Sequence, residues 1–288
     1  MRRGGERGRG FALPAAIVGV AAFALVALAM VDWGRGVGAL LQARVTAARL
    51  SAAADSGLAL AIHGAALRDP RRRWARDGKP RALTFDGIAV TVVIEDERAF
   101  VPLNAISGPV LRALLAYVGA GGARLDGLAA ALGDWIDADD ETRPGGAERA
   151  AYAAAGLAPR NGPIREAGEL AVLKGMDRAL LDRLLPLISL VPRADQAMVD
   201  GRWAKPEIMA IMAIMAGAGP EDLEAMIRAR KADPAPEADT PGEREPLDLV
   251  MIRITVEARL GPDAVARRRA VIEFTGDPAR PYWVRSFR

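Results

Sequence analysis

Cysteine is missing altogether, and there is a single histidine in 288 residues. Without thiols the chain has no disulfide framework, no zinc–cysteine centre and no thiol nucleophile. The histidine, His63, sits in LALAIHGAAL, an apolar helical pattern in which a structural role is the ordinary one. A Ser-His-Asp hydrolase would have to use it, and no GxSxG accompanies it. Aromatics make up 5% of the chain, with the five Trp scattered along it, so no aromatic-lined cleft for glycoside hydrolysis is indicated. The formal net charge is only +3. Arg2, Arg3, Arg7 and Arg9 against Glu6 account for it, which leaves a near-neutral body and no broad basic surface for nucleic acid.

What is present is one long apolar run over residues 11–31, FALPAAIVGVAAFALVALAMV, without a charge. About twenty apolar residues span a bilayer core as a helix. The basic MRRGGERGRG before it holds the N-terminus in the cytoplasm and places the rest across the membrane. Three readings compete. A cleaved secretory signal needs an AxA-like site inside the run, around Ala27 to Met30, and the run is long for that class. A plain signal anchor is the second. The third rests on Arg9-Gly10-Phe11, a basic leader ending in Gly before an apolar helix. This junction resembles the prepilin peptidase site of type IV pilins and type II secretion pseudopilins. That resemblance implies cleavage between Gly10 and Phe11, with Phe11 the first mature residue and the site of methylation. Most members of the class carry Glu as the fifth mature residue, but Ala15 stands here. A carboxylate in lipid persists only where something pairs with it, and its absence implies a subunit with no neighbour on that side.

Beyond the run, Leu40, Leu41, Val45, Leu50, Ala53, Leu58 and Leu60 recur near the helical period. One helix is expected over 13–67, roughly 80 Å at 1.5 Å per residue. Residues 68–81 form a basic loop, and the runs on either side of Asp86-Gly87 form a hairpin. Seven short helices follow, over 109–118, 125–136, 147–155, 166–173, 179–187, 206–215 and 220–230. LKGMDRALLDRLLPLI resembles helix-hairpin-helix or SAM-like modules, which bind DNA through hairpin amides. Its Lys174, Arg178 and Arg183 are offset by Asp177 and Asp182. Residues 232–246 are Pro-rich and acidic, a loop. Two late strands around Gly261-Pro262 and the terminal PYWVRSFR complete the chain. Residues 84–95 and 247–274 are expected to share one sheet, packed on the 40–60 helix face.

The most distinctive stretch is Gly133-Asp134-Trp135-Ile136-Asp137-Ala138-Asp139-Asp140-Glu141. It continues through Gly146-Ala147-Glu148, Tyr152, Asn161-Gly162-Pro163, Glu169-Leu170 and Lys174-Gly175. With Pro102-Leu103-Asn104 upstream, this order resembles protein K of the general secretion pathway, the minor pseudopilin family of type II secretion. The family's Asn-bearing stretch further on is replaced by Ala194-Asp195-Gln196-Ala197. Asp134, Asp137, Asp139, Asp140, Glu141 and Glu148 offer hard oxygen ligands with no competing His or Cys, which suits calcium. No EF-hand spacing is present, since no run from Asp134 or Asp137 has Gly at its sixth position. The rival reading is a helix C-terminus with a solvated acidic turn. The resemblance implies calcium in this region.

The resemblance also implies an α+β, pilin-like fold: a long spine helix on a small antiparallel sheet, with a large all-helical insertion. The divisions are a leader over 1–10, a transmembrane helix over 11–31, a periplasmic spine over 32–67, a hairpin over 82–100, the insertion over 101–231, a loop over 232–246 and late strands over 247–288. It implies no enzyme but a single-pass inner-membrane protein at the endopilus tip. Its partners would be the I- and J-type minor pseudopilins, the major pseudopilin, prepilin peptidase and membrane lipid, with no nucleic acid. Two rival functions are a membrane-anchored helix-hairpin-helix DNA-binding protein of a competence-like system and an exported hydrolase.

Overall fold

The computed structural model describes residues 12–69, 71–106, 108–192, 204–232 and 250–288. Its first element, α1 (Ala12–Ala66), is a single helix of 55 residues. Pro14 falls in its first turn, where the missing N–H costs little. The backbone stays helical through Gly34, Gly36 and Gly38. Its Leu13–Met30 segment has a mean hydropathy of 2.4 and no buried residue. Among the described residues a second segment, Leu40–Ala66, is also long and apolar enough to cross a membrane. It is instead partly covered by a sheet.

That sheet has five antiparallel strands in the order β1-β2-β5-β6-β7: β1 (Arg81–Phe85), β2 (Ile88–Asp96), β5 (Met251–Leu260), β6 (Ala264–Phe274) and β7 (Tyr282–Phe287). Asp86 and Gly87 join β1 to β2 with φ of 48° and 75°. Positive φ at both central residues is what a tight hairpin demands and what Asp-Gly tolerates. Arg49 of α1 donates to the Asp86 carboxylate at 2.7 Å and fixes the turn to the helix. Strand alternation puts Ile88, Val90, Val92 and Ile94 on the helix side, facing Leu50, Ala53, Ala54, Leu58, Ala61 and Ala65. Gly57 lets the two approach, since a Cβ there would lie 2.9 Å from both Val90 and Val256.

The packing face differs from the expected one. Leu40, Leu41 and Val45 stay more than half exposed, and contact begins only at Leu50. The physical reason is length. Nine residues of strand rise about 30 Å, which covers roughly twenty helical residues, and the sheet is registered on the far end of α1.

Between β2 and β5 come the short elements β3 (Val101–Pro102), α2 (Gly108–Tyr117), α3 (Gly122–Ile136), α4 (Arg149–Tyr152), α5 (Ala167–Ala171), α6 (Arg178–Leu184), β4 (Ile188–Ser189), α7 (Pro206–Met215) and α8 (Pro220–Ala232). The expected helices are all found, with 147–155 shortened to α4 and a following 3-10 turn at Ala153–Ala155. This helical block has its own core, centred on Leu114, Leu128, Leu132, Trp135, Leu170, Leu180 and Ile208. The two cores meet at a junction beside the end of β2. Arg253 of β5 and Glu97, just after β2, are both buried and paired at 2.7 Å. The same guanidinium donates to the Ile188 carbonyl at 2.9 Å and lies 3.4 Å over the Phe100 ring. β3 and β4 pair in parallel beside it.

Arg253→Leu removes a paired guanidinium from the buried Glu97 carboxylate. The expected cost is about 3–5 kcal/mol, read as a lowered midpoint in urea unfolding of the full chain. Arg112→Ala, which removes an exposed pair with Asp126, changes stability by less than about 1 kcal/mol.

Candidate functional site

The acidic stretch begins on the last turn of α3. Leu128, Ala131, Leu132 and Trp135 give that helix its buried stripe, and Asp134 is buried with them. A buried carboxylate needs donors, and the loop after α3 folds back to supply them. Asp134 accepts from the backbone N–H of Ala147 at 2.8 Å and from the Arg143 guanidinium at 2.8 Å. The loop can pass this close because residue 146 is Gly: a Cβ there would lie 2.0 Å from Asp134 Oδ2.

Asp137 caps the end of α3 and also pairs with Arg143. Its Oδ1 is buried with no hydrogen-bond partner. Glu148 precedes α4, is 5% exposed, and has both carboxylate oxygens buried without partners. Burial pushes its carboxyl above the ordinary range, and Asp134, Asp137 and Asp140 push it further. Asp139 accepts from the Glu141 N–H at 2.9 Å in a local turn. Asp140 accepts from Asn161 Nδ2 at 3.0 Å, and the same amide bonds the Asp139 carbonyl. Glu141 is exposed.

Of the six expected ligands, Asp134, Asp137 and Asp140 are therefore close enough for their charges to act on Glu148, whereas Asp139 serves a local turn and Glu141 is exposed. Among the described residues no three Asp, Glu, His or Cys side chains converge around one point as ligands. Arg143, which sequence reading did not single out, supplies the positive charge between Asp134 and Asp137. The unpartnered Glu148 and Asp137 oxygens are hard ligands of the kind calcium takes, beside an Arg143 guanidinium that now neutralises Asp134 and Asp137. The other expected pair, Gly10 and Phe11, lies outside the described residues, as does Ala194-Asp195-Gln196-Ala197.

The remaining motif residues hold the block together. Trp135 Nε1 donates to Glu169 Oε2 at 3.0 Å, and Arg160 binds the same carboxylate at 3.0 and 3.1 Å. Tyr152 meets the Trp135 ring edge-on at 5.2 Å and accepts from the Lys174 N–H. Asn104 accepts from the Ile164 N–H at 2.8 Å and donates to the Ile164 and Leu190 carbonyls. Phosphate recognition gains no support from the helix-hairpin-helix stretch. Lys174 is turned to the Gly146 carbonyl at 3.0 Å, Asp177 caps α6 and pairs with Arg124, and Arg178 pairs with Asp182. His63 lies exposed on α1, a different part of the molecule from these acids.

The model of the type II secretion system protein K family matches residues 93–193, a span that contains this whole arrangement. Those residues are similar to a protein K domain of the type II secretion system. Type II secretion system protein K of Klebsiella pneumoniae is 31% identical over 160 residues, covering 50% of this chain and 48% of that protein. The protein K of Pectobacterium carotovorum subsp. carotovorum is 32% identical over 138 residues, 42% of each. The chain thus spans about half the length of the curated protein K relatives it matches. In fold it resembles a chain of the GspK-GspI-GspJ complex of enterotoxigenic Escherichia coli, with a TM-score of 0.56 and 18% identity. The match covers 86% of this chain and 96% of that one. The mixed helix and antiparallel-sheet architecture is thus shared with a chain of that complex.

Glu169 carries a prediction. Burial alone pushes its carboxyl up, but the Arg160 guanidinium, the Trp135 N–H and the Arg165 N–H together hold it at about 2, below its ordinary 4.5. A depressed carboxyl adds stability that is full above the unfolded value and lost as pH falls through the folded one. Glu169→Gln should therefore lower stability at pH 7 by about 1–2 kcal/mol after allowance for solvent. It should also flatten the acid loss between pH 4.5 and about 2, measured by urea unfolding across that window.

Proposed function

We propose that this protein is a minor pseudopilin of type II secretion, a structural and non-enzymatic subunit at the tip of the endopilus. The observation that carries this reading is α1. Its first part is wholly apolar and uncovered, while its far end alone bears the sheet and helical block. One helix is thus both a membrane rod and the support of a bulky head.

In this reading 11–31 crosses the inner membrane, with the leader 1–10 in the cytoplasm and the body in the periplasm. Prepilin peptidase cuts between Gly10 and Phe11, and Phe11 is methylated. Residues 32–67 and the sheet form a pilin-like unit, 101–231 its inserted domain and 247–288 its returning strands. The block's own hydrophobic core supports treating it as a separate unit. Its bulk suits an end position, and Ala15 in place of Glu removes the need for a subunit above. Partners are I- and J-type minor pseudopilins, a reading supported by the composition of the complex that contains the structural neighbour, together with the major pseudopilin. Through them the tip starts assembly and supports export across the outer membrane.

Calcium is proposed at the acids after α3. Glu148, Asp137 and Asp140 would hold it, with Asp134 buried behind them and Arg143 displaced. Asp139 and Glu141 serve the loop and its solvent face. Bound calcium would supply charge neutralisation only, and the protein's part is to fold the 137–148 loop around it.

Three measurements test these readings. N-terminal sequencing of the membrane-extracted protein should give Phe11, and a start near Val31 overturns the anchor. Terbium, a luminescent stand-in for calcium, should be sensitised by Trp135 and silenced by Glu148→Gln. Calcium at about a hundredfold its Kd should raise Tm by about 5–10 °C. Absence of both effects removes the ion and leaves the pseudopilin reading intact.

A further inference from the structure

On the sheet face turned away from α1, a cavity of roughly 520 Å³ lies between the strands and the helical block. Its lining combines apolar residues, Leu185, Ile188, Leu190, Val191 and Val271, with Arg165, Arg253, Arg269, Arg285 and Arg288. Two of these are neutralised, Arg253 by Glu97 and Arg285 by Glu273. Among the described residues, no carboxylate pairs with Arg165, Arg269 or Arg288. The acids that act on Arg269 at longer range are Glu95 and Glu97, and these are committed to Lys205 and Arg253. Arg269 is exposed, yet partial desolvation by the protein around it, then Arg253 and Arg288, holds it below its ordinary value. Like charges are thus crowded beside apolar residues, and an anion would relieve them.

The chemistry of the walls narrows the occupant. Guanidinium groups take carboxylates or phosphates through paired N–H donors. A bare hydrated anion leaves the apolar residues unused, and the volume falls in the range of ordinary ligand sites. A lipid headgroup is out of reach. Arg268 pairs with Ser51 and Asp55 of α1, which places its neighbour Arg269 roughly 30 Å beyond Met30 along the helix. The cavity is bordered by Arg285, Ser286 and Arg288 of the β7 end. Among the described residues β7 is the edge strand of the sheet, so its outer edge can pair with an extended chain.

We propose that this cavity binds an extended acidic peptide segment of a partner protein. Arg165, Arg269 and Arg288 take its carboxylates, and Leu190 and Val271 take an aliphatic side chain. The site is separate from the acids after α3 and does not depend on the assembly role.

The test uses the full chain in detergent micelles and a fluorescein-labelled hexapeptide alternating glutamate and isoleucine, followed by anisotropy. The glutamate peptide is expected to bind at least about tenfold more tightly than its glutamine counterpart. The Arg269→Ala/Arg288→Ala double variant removes two exposed side chains and should keep its Tm. It is expected to lose about tenfold in affinity, whereas Arg112→Ala, outside the cavity, keeps full binding. Equal binding of the two peptides, or undiminished affinity in the double variant, overturns the proposal. So does an equal loss in Arg112→Ala, or full displacement by equimolar inorganic phosphate, which would mark a bare anion hole.

Discussion

The buried pair of Arg253 and Glu97 is the interaction on which the architecture turns. Each of the two hydrophobic cores closes on its own: α1 with the sheet, and the short helices with one another. Apolar burial is non-directional, so it brings the two bodies together without fixing how they meet. A desolvated ion pair is directional, because attraction offsets desolvation only in good geometry. Here the guanidinium also bonds the Ile188 carbonyl and stacks on Phe100. One side chain on β5 thereby touches the end of β2, the start of the block and its return strand. That contact, with the Lys205–Glu95 pair beside it, ties the block to the sheet.

The same logic repeats on a smaller scale inside the block. Asp134 is a buried acid that organises a loop by accepting from it, and Glu169 does so between Trp135 and Arg160. Asn104 ties the start of the block to two later segments. The polar residues that make the stretch recognisable are chiefly tie points for short helices that are too brief to hold themselves. Helices of four to seven residues, such as α4, α5 and α6, have almost no intrinsic stability, so side chains anchored across the chain must hold them.

Local signals in the sequence explain which parts of this were legible. The unbroken apolar period from Leu13 onward marks α1, Asp86-Gly87 marks the hairpin, and β-branched alternation marks β5 and β6. What stayed hidden depends on contacts between distant positions. No local pattern says whether the sheet sits over Leu41 or Leu58, because both lie on apolar faces and only strand length and register decide. Arg143 reads as one more charge in a loop until the loop folds back on α3. The six acids read as one group, but the turn at Asp139 and the exposure of Glu141 divide them. Glu148 shows the opposite effect: nothing local distinguishes it from Glu141, and burial sets it apart.

β2 and β5 are direct neighbours, and Asp96 pairs with Ile252. The chain therefore leaves the sheet and rejoins it on adjacent strands at a single rung, about 5 Å apart, with the entire helical block hung between. To the sheet, that block is an ornament clipped to a hairpin. It can lengthen, shrink or be swapped for another module with close-set ends while the strands beneath keep their register. The rod and its sheet form a handle, and the block is a head set on it at that one rung.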